Sequence, residues 1–308
     1  MGTFIGHISP GLAFFSFGLL YGIRYGFDSN LQYSLMVLRG EMGPQVAPTR
    51  SPGLCGWWRR VPAEGVMKVL YGTAAAMAEL FYPPGVNKAV LYNTQNPDYP
   101  FIHPNEWQHL TMYSYFALSG WMDILSQTCL PKRLVLLERV AIAVAFYVEA
   151  LILAFHMHGK GHVENSVHLL LFLITSLVCL VLTVELWRPH DPILWFSKTC
   201  LVMIQGTWLF HAAFILYRPP TGKPWKSEDM ANQMFVTNFF CWHIALNLLF
   251  LALLFSLAYL WHRLGLAAQR RSGVLHKTKV HLHLNGEALH SRPEAREEEI
   301  QLLQVDEF

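Results

Sequence analysis

The chain has 308 residues, 53% of them hydrophobic and only 14% charged, with a mean hydropathy of +0.28. A soluble domain carries about 25% charged residues, so too few charges are present to coat a water-soluble globule of this size, and a cytosolic enzyme is excluded. The formal net charge of +2 offers no basic footprint for nucleic acid, and five Cys without small-domain spacing imply no disulfide framework.

Apolar runs of roughly 17–25 residues, long enough for a ~30 Å hydrocarbon core, recur seven times. They lie at 4–27, 65–82, 108–127, 134–156, 166–187, 196–217 and 234–261. Pro residues punctuate the gaps, among them Pro44, Pro62, Pro83, Pro104, Pro131, Pro189, Pro192, Pro219 and Pro224. Each lacks the backbone donor that a continuing helix needs. The expected fold is therefore all-α: a polytopic bundle of about seven transmembrane helices over residues 1–262, with a long cytosolic loop at about 28–62. The second run holds Lys68 and Glu79. It counts as a span if Lys68, near one end, extends its stem toward the interface. The first run has no basic residues ahead of it and no A-x-A-like site behind it, so it reads as an uncleaved helix.

Lys and Arg are retained on the cytoplasmic side. With the N-terminus outside, sixteen fall in the inner segments and tail and five in the outer segments, which favours N-outside and C-inside. Cys55, Cys129 and Cys200 then lie on the reducing side, and no N-x-[ST] acceptor occurs. From Arg263 the composition changes. Residues 263–308 start basic and turn acidic at Glu294 to Glu299, the pattern of a disordered cytosolic tail. Within it Glu298, Leu302 and Leu303 form E-x-x-x-L-L, resembling an acidic dileucine signal that coat adaptors read as an address.

Polar residues inside spans must face a partner or a cavity. Residues three, four and seven apart share a helical face. This groups His109 with Tyr113 and Asp123, Glu149 with His156, His168 with Thr175, Gln205 and Trp208 with His211, and His243 with Asn247. Under the alternating topology His7, His109, His156, His168 and His211 reach the outer ends of different helices. His243 lies in the outer half of the last helix, and Glu79, Glu106 and Glu149 lie nearby. Imidazoles converging from several helices can ligate zinc, or a haem through facing His pairs. The candidate metal set is His109, His156, His168, His211 and His243, with Glu149 behind it. The plain alternative is interhelical hydrogen bonding, worth about 0.6–2 kcal/mol per contact. His156, His158 and His162 form a second cluster in a loop. Asp123 and Glu185, toward the inner side, could carry protons with Glu149.

Several segments resemble the transmembrane-protein-45 family, most closely its transmembrane epididymal protein branch. They are M-G-T-F-I-G-H-I-S-P-G-L from Met1, E-W-Q-H-L-T-M from Glu106, L-S-G-W-M-D from Leu118, V-E-L-W-R-P from Val184 and M-F-V-T-N-F-F-C-W-H from Met234. These blocks contain His7, His109 and His243, and the V-H-L-L run adds His168. The resemblance implies a multi-pass membrane protein, seven helices being compatible with it, and supplies no reaction, substrate or ligand. Three functions follow as expectations. The first is a non-enzymatic trafficking, scaffold or regulatory component of endomembranes (Golgi or endosomal) or the plasma membrane, partnered by the lipid bilayer and coat adaptors. The second is a zinc-dependent, lipid-hydrolase-like membrane enzyme, and the third a haem electron carrier.

Overall fold

The computed structural model describes residues 4–28, 62–157 and 161–271. Among them are seven α-helices: α1 Phe4–Gly26, α2 Ala63–Phe81, α3 Pro104–Thr128, α4 Val135–His156, α5 His162–Trp187, α6 Pro192–Tyr217 and α7 Met230–Arg271. No strand occurs among the described residues beyond one isolated bridge between Tyr92 and Phe101. The helices start where local chemistry dictates. Pro104 and Pro192 open α3 and α6, where the missing donor costs nothing. Asp191 caps α6 by accepting from the Ile193 amide at 3.0 Å. Between α3 and α4, Arg133 grips Glu138 through two parallel bonds of 2.6 and 2.9 Å.

The chain divides into two compact units, Met1–Phe255 and Ser256–Phe308. In the first, α1 packs along α6, and each neighbouring pair from α2 to α6 packs in sequence. Contact between α1 and α2 is slight, so six helices close a ring whose thinnest seam is α1–α2. Small residues permit the closest approaches. A Cβ added to Gly120 of α3 would lie 2.6 Å from the Gly65 carbonyl of α2, and one added to Gly11 of α1 would lie 3.1 Å from the Gly206 carbonyl of α6. Helix α7 joins outside this ring through Asn247, which donates to Thr207 at 2.9 Å, and through Phe240, whose ring meets Trp208 edge-on at 5.0 Å. In the second unit the described residues continue α7 to Arg271, past the expected boundary at residue 262. Leu264, Leu266, Ala267, Ala268, Gln269 and Arg270 are strong helix formers. The expected acidic end of the tail and most of the loop at 28–62 lie outside the described residues.

Four helices are long and apolar enough to cross a membrane: Phe4–Gly26, His162–Trp187, Pro192–Tyr217 and Met230–Gly265. Helices α2, α3 and α4 carry more polar and ionisable residues, and the bundle turns several of these inward. Lys68 does not reach for the interface as its position in the sequence suggests. It is 3% exposed, and its Nζ lies 2.7 Å from Glu64 and 2.8 Å from Asp123 of α3. Glu64 also accepts from Tyr21 at 2.8 Å and meets Arg24 at 3.5 Å, both on α1. Lys198 of α6 is likewise buried and holds both carboxylate oxygens of Glu185 on α5 at 2.7 and 2.8 Å. Both networks sit at the end of the bundle where α1, α3 and α5 finish.

Removing one member of a buried pair strands the other charge, at about 3–5 kcal/mol. Lys68→Met is expected to lower the thermal unfolding midpoint of the detergent-solubilised protein markedly. The double variant Lys68→Met, Asp123→Leu should recover most of that loss. Equal midpoints for Lys68→Met and the parent chain would show that the pair does not hold α2 against α3.

Candidate functional site

At the opposite end of the ring, where α1, α3 and α5 begin and α2 and α4 finish, imidazoles replace ion pairs. His109, His156, His168 and His7, from α3, α4, α5 and α1, stand in a row with ring centroids 5.1, 5.3 and 5.8 Å apart. Each is at most 8% exposed. Three have Nδ1 held from outside the row. His109 Nδ1 lies 3.1 Å from Glu79 Oε1, His156 Nδ1 2.7 Å from Gln108 Oε1, and His168 Nδ1 2.8 Å from the Glu164 carbonyl. All three partners are acceptors, so Nδ1 donates in each case. In the neutral ring Nε2 is then the acceptor nitrogen.

The row borders a central cavity of about 80 Å³ lined from all six ring helices. A water needs ~10–15 Å³ on this scale, so the space holds several waters or a small group. Phe14, Phe17, Phe116, Leu153 and Leu171 form much of its wall, and Phe14 and Phe116 are locked edge-to-face at 5.5 Å. Glu149 also lines it. Its carboxyl is 5% exposed, with Oε1 accepting from Gln205 Nε2 at 2.7 Å and Oε2 without a hydrogen-bond partner. A buried polar atom left in that state is costly.

The expected five-histidine set is divided. His109, His156 and His168 meet, joined by His7, whereas His211 and His243 bond each other, Nδ1 to Nε2, at 2.9 Å. That pair lines a separate groove of about 480 Å³ with Phe210, Phe214, Trp225 and Phe239. Its partners are aromatic: Trp208 lies 5.8 Å from His211 and 5.7 Å from His243. Sequence spacing could not separate the groups, because the azimuth of each helix divides them. The carboxylate bonded to an imidazole of the row is Glu79, while Glu149 shares the cavity and bonds Gln205. Asp123 and Glu185, considered as proton carriers, are engaged by Lys68 and Lys198 at the other end. His162 opens α5 exposed, 3.9 Å from Glu228. His158, Glu298, Leu302 and Leu303 lie outside the described residues.

A tetrahedral zinc needs three or four donors about 2.0–2.1 Å from one point. The imidazoles form a row, and among the described residues no three His, Cys, Asp or Glu side chains are grouped to hold an ion. The residues as arranged do not fit a zinc centre, and no hydrolytic step is derived through one.

The helical ring and long apolar helices define an integral, multi-pass membrane protein with no assignable reaction. Residues 136–256 match a family of unknown function (DUF716). The chain is 39% identical over 266 residues to transmembrane epididymal protein 1 of Rattus norvegicus, covering 85% of this chain and 83% of that one. It is 37% identical over 270 residues to transmembrane epididymal protein 1A of Mus musculus, with the same coverage. It is 35% identical over 227 residues to transmembrane epididymal protein 1 of Homo sapiens, covering 74% and 82%. The chain belongs to the transmembrane epididymal protein family.

The division of the histidines has a measurable consequence. Residues in direct contact couple by about 0.5–3 kcal/mol, whereas independent sites add within ~0.5 kcal/mol. His211→Ala and His243→Ala should therefore be strongly non-additive in thermal stability, and His156→Ala with His211→Ala additive. Coupling of similar size in both pairs would show one connected cluster.

Proposed function

We propose that this chain is a seven-pass, non-enzymatic membrane component with a trafficking, scaffold or regulatory role, its N-terminus outside and its C-terminus in the cytosol. The observation that carries the non-enzymatic reading is how the buried ionisable groups are used. Lys68, Glu64, Asp123, Lys198 and Glu185 are consumed in ion pairs, most of them between helices. Three imidazoles of the row, His109, His156 and His168, have Nδ1 partners of their own. Such pairing makes polar groups into joints of the bundle.

The same pairing supports seven spans. Helices α2, α3 and α4 have 19, 25 and 22 residues, or roughly 28–38 Å at 1.5 Å per residue, close to the ~30 Å core. Their principal charges at Lys68 and Asp123 are neutralised inside the protein, so lipid need not solvate them. Orientation rests on the sixteen-to-five distribution of Lys and Arg. A C-terminal tag should react with antibody only in permeabilised cells, and staining of intact cells would reverse the orientation.

The wider placement in the transmembrane-protein-45 family belongs to this proposal, as do the Golgi, endosomal or plasma-membrane address and adaptor recognition through Glu298, Leu302 and Leu303. An extended peptide of this kind can enter an adaptor groove. Replacing both leucines with alanine should move the steady-state population toward the cell surface, scored as the ratio of surface-biotinylated to total protein. An unchanged ratio would remove the motif from the account.

A further inference from the structure

We infer that residues 82–103, which join α2 to α3, form an interfacial platform whose exposed aromatic side chains rest in the head-group layer of the bilayer. This rests on the seven-span reading of α2 and α3. The partner is the lipid surface itself, met through apolar contact rather than through charge.

The platform is a built structure. Tyr92 and Phe101 form an antiparallel bridge. It is closed by the Asn93 amide donating to the Pro100 carbonyl at 3.1 Å and the Ile102 amide donating to the Leu91 carbonyl at 2.9 Å. In a pair of this kind the two side chains stand closest together, and their rings lie 4.9 Å apart. The Lys88 amide donates to the Leu80 carbonyl of α2 at 2.9 Å, and its ammonium meets Glu106 of α3 at 3.3 Å. Both flanking helices hold the segment in place.

Its outward side chains are those that a loop surrounded by water seldom gathers. Phe101 is 72% exposed, Tyr99 59%, Tyr82 50% and Tyr92 44%, and Val90 and Leu91 are exposed as well. Scattered apolar residues on a surface need no explanation, whereas a group of them marks an interaction site. Amphipathic aromatic rings settle at membrane–water boundaries, where one end is apolar and the other wet.

Position selects the bilayer as the partner. Tyr82 directly follows α2, and Phe101 lies three residues before Pro104, the first residue of α3. Even fully extended, those three residues reach roughly 10–11 Å, comparable with a head-group layer roughly 5–7 Å deep on each side. A short segment tied at both ends to spanning helices meets that layer before it meets a soluble partner.

Backbone and charge agree with immersion. An amide withdrawn from water is costly unless it has an acceptor. Asn87, Asn93 and Asn96 each offer a side-chain oxygen to the amide two residues on, at 2.9, 3.1 and 3.1 Å. Pro83, Pro84, Pro97 and Pro100 have no amide to satisfy. Lys88, engaged by Glu106, and Asp98 are the Lys, Arg, Asp or Glu residues of the segment. With no cluster of basic side chains, attraction to anionic lipid adds little.

The test uses the full chain in phosphatidylcholine vesicles, with a solvatochromic fluorescent amino acid incorporated at position 101 and, in separate chains, at 99 and 223. Phe101 and Tyr99 are exposed enough to accept the fluorophore without repacking, and Lys223 is an exposed position between α6 and α7. Emission at 101 and 99 should be blue-shifted relative to 223 and quenched by lipids brominated near the head-group end of the acyl chain. Adding phosphatidylglycerol should leave that quenching unchanged. Emission and quenching at 101 and 99 that match position 223 would overturn the platform. Quenching that appears only with phosphatidylglycerol would overturn its apolar basis.

The spans are read separately, with a membrane-impermeant maleimide on whole cells and peptide mapping of the labelled sites. Gln95→Cys should react in intact cells, and the native exposed Cys129, between α3 and α4, only after permeabilisation. Reaction of both from one side would overturn the seven-span reading, while quenching at 101 would still uphold the lipid contact. Reaction from opposite sides without quenching would do the reverse.

Discussion

A charge buried between membrane helices must find its counter-charge on another helix, and the arrangement of this bundle depends on that constraint. Lys68 makes it concrete. Its ammonium is held by Glu64, one turn earlier on α2, and by Asp123 on α3, and Glu64 is in turn bonded by Tyr21 and Arg24 of α1. Three helices are thereby fixed in azimuth at one end of the ring. The Lys198–Glu185 pair fixes α6 against α5 at the same end. Small residues at Gly65, Gly120, Gly11 and Gly206 then let the backbones come close enough for these short bonds to form.

The two ends of the ring perform different physical work. Strong, mutually neutralising ion pairs close one end, where Lys and Arg side chains supply the donors. The other is built from groups that both donate and accept, chiefly imidazoles, of which His109, His156 and His168 are oriented by a partner behind them. A layer of Phe rings from α1, α3 and α4 separates the two, with Phe14, Phe116 and Phe146 in mutual contact at 5.1–5.9 Å. Among the described residues Glu149 is the acidic side chain of the cavity lining, and its second oxygen has no hydrogen-bond partner.

Helix α7 shows how an outer element is attached through neutral hydrogen bonds and aromatic edges. Its contacts with α6 include the His211–His243 and Asn247–Thr207 bonds, aromatic edges around Trp208 and the Phe196–Phe255 pair. Neutral hydrogen bonds of this kind are individually weak in membranes, so this interface relies on Trp208, which is fully buried.

The seven helices were legible in the sequence, because length, apolar runs and Pro punctuation are local properties and the helix satisfies its own backbone in lipid or water. Grouping by helical face also picked out His109, His156 and His168, which the bundle buries, since periodicity on a single helix decides which side is polar, whereas His211 and His243 are only half-buried. Azimuth and partner choice were not legible. Lys68 looked able to reach the interface because it lies near a helix end, and nothing local to α2 reveals that Asp123 waits 55 positions later. Glu149 looked like support for His156 from two turns away, yet its bond goes to Gln205 on α6. His211 and His243 looked like members of a single ring of imidazoles, and the placement of α6 and α7 around Trp208 made them a pair of their own. The sequence by itself determined an all-helical membrane chain and which faces of its helices are polar. Only the tertiary structure decided which of those groups touch, because that depends on how each helix is rotated against its neighbours, a quantity fixed by side chains distant in sequence.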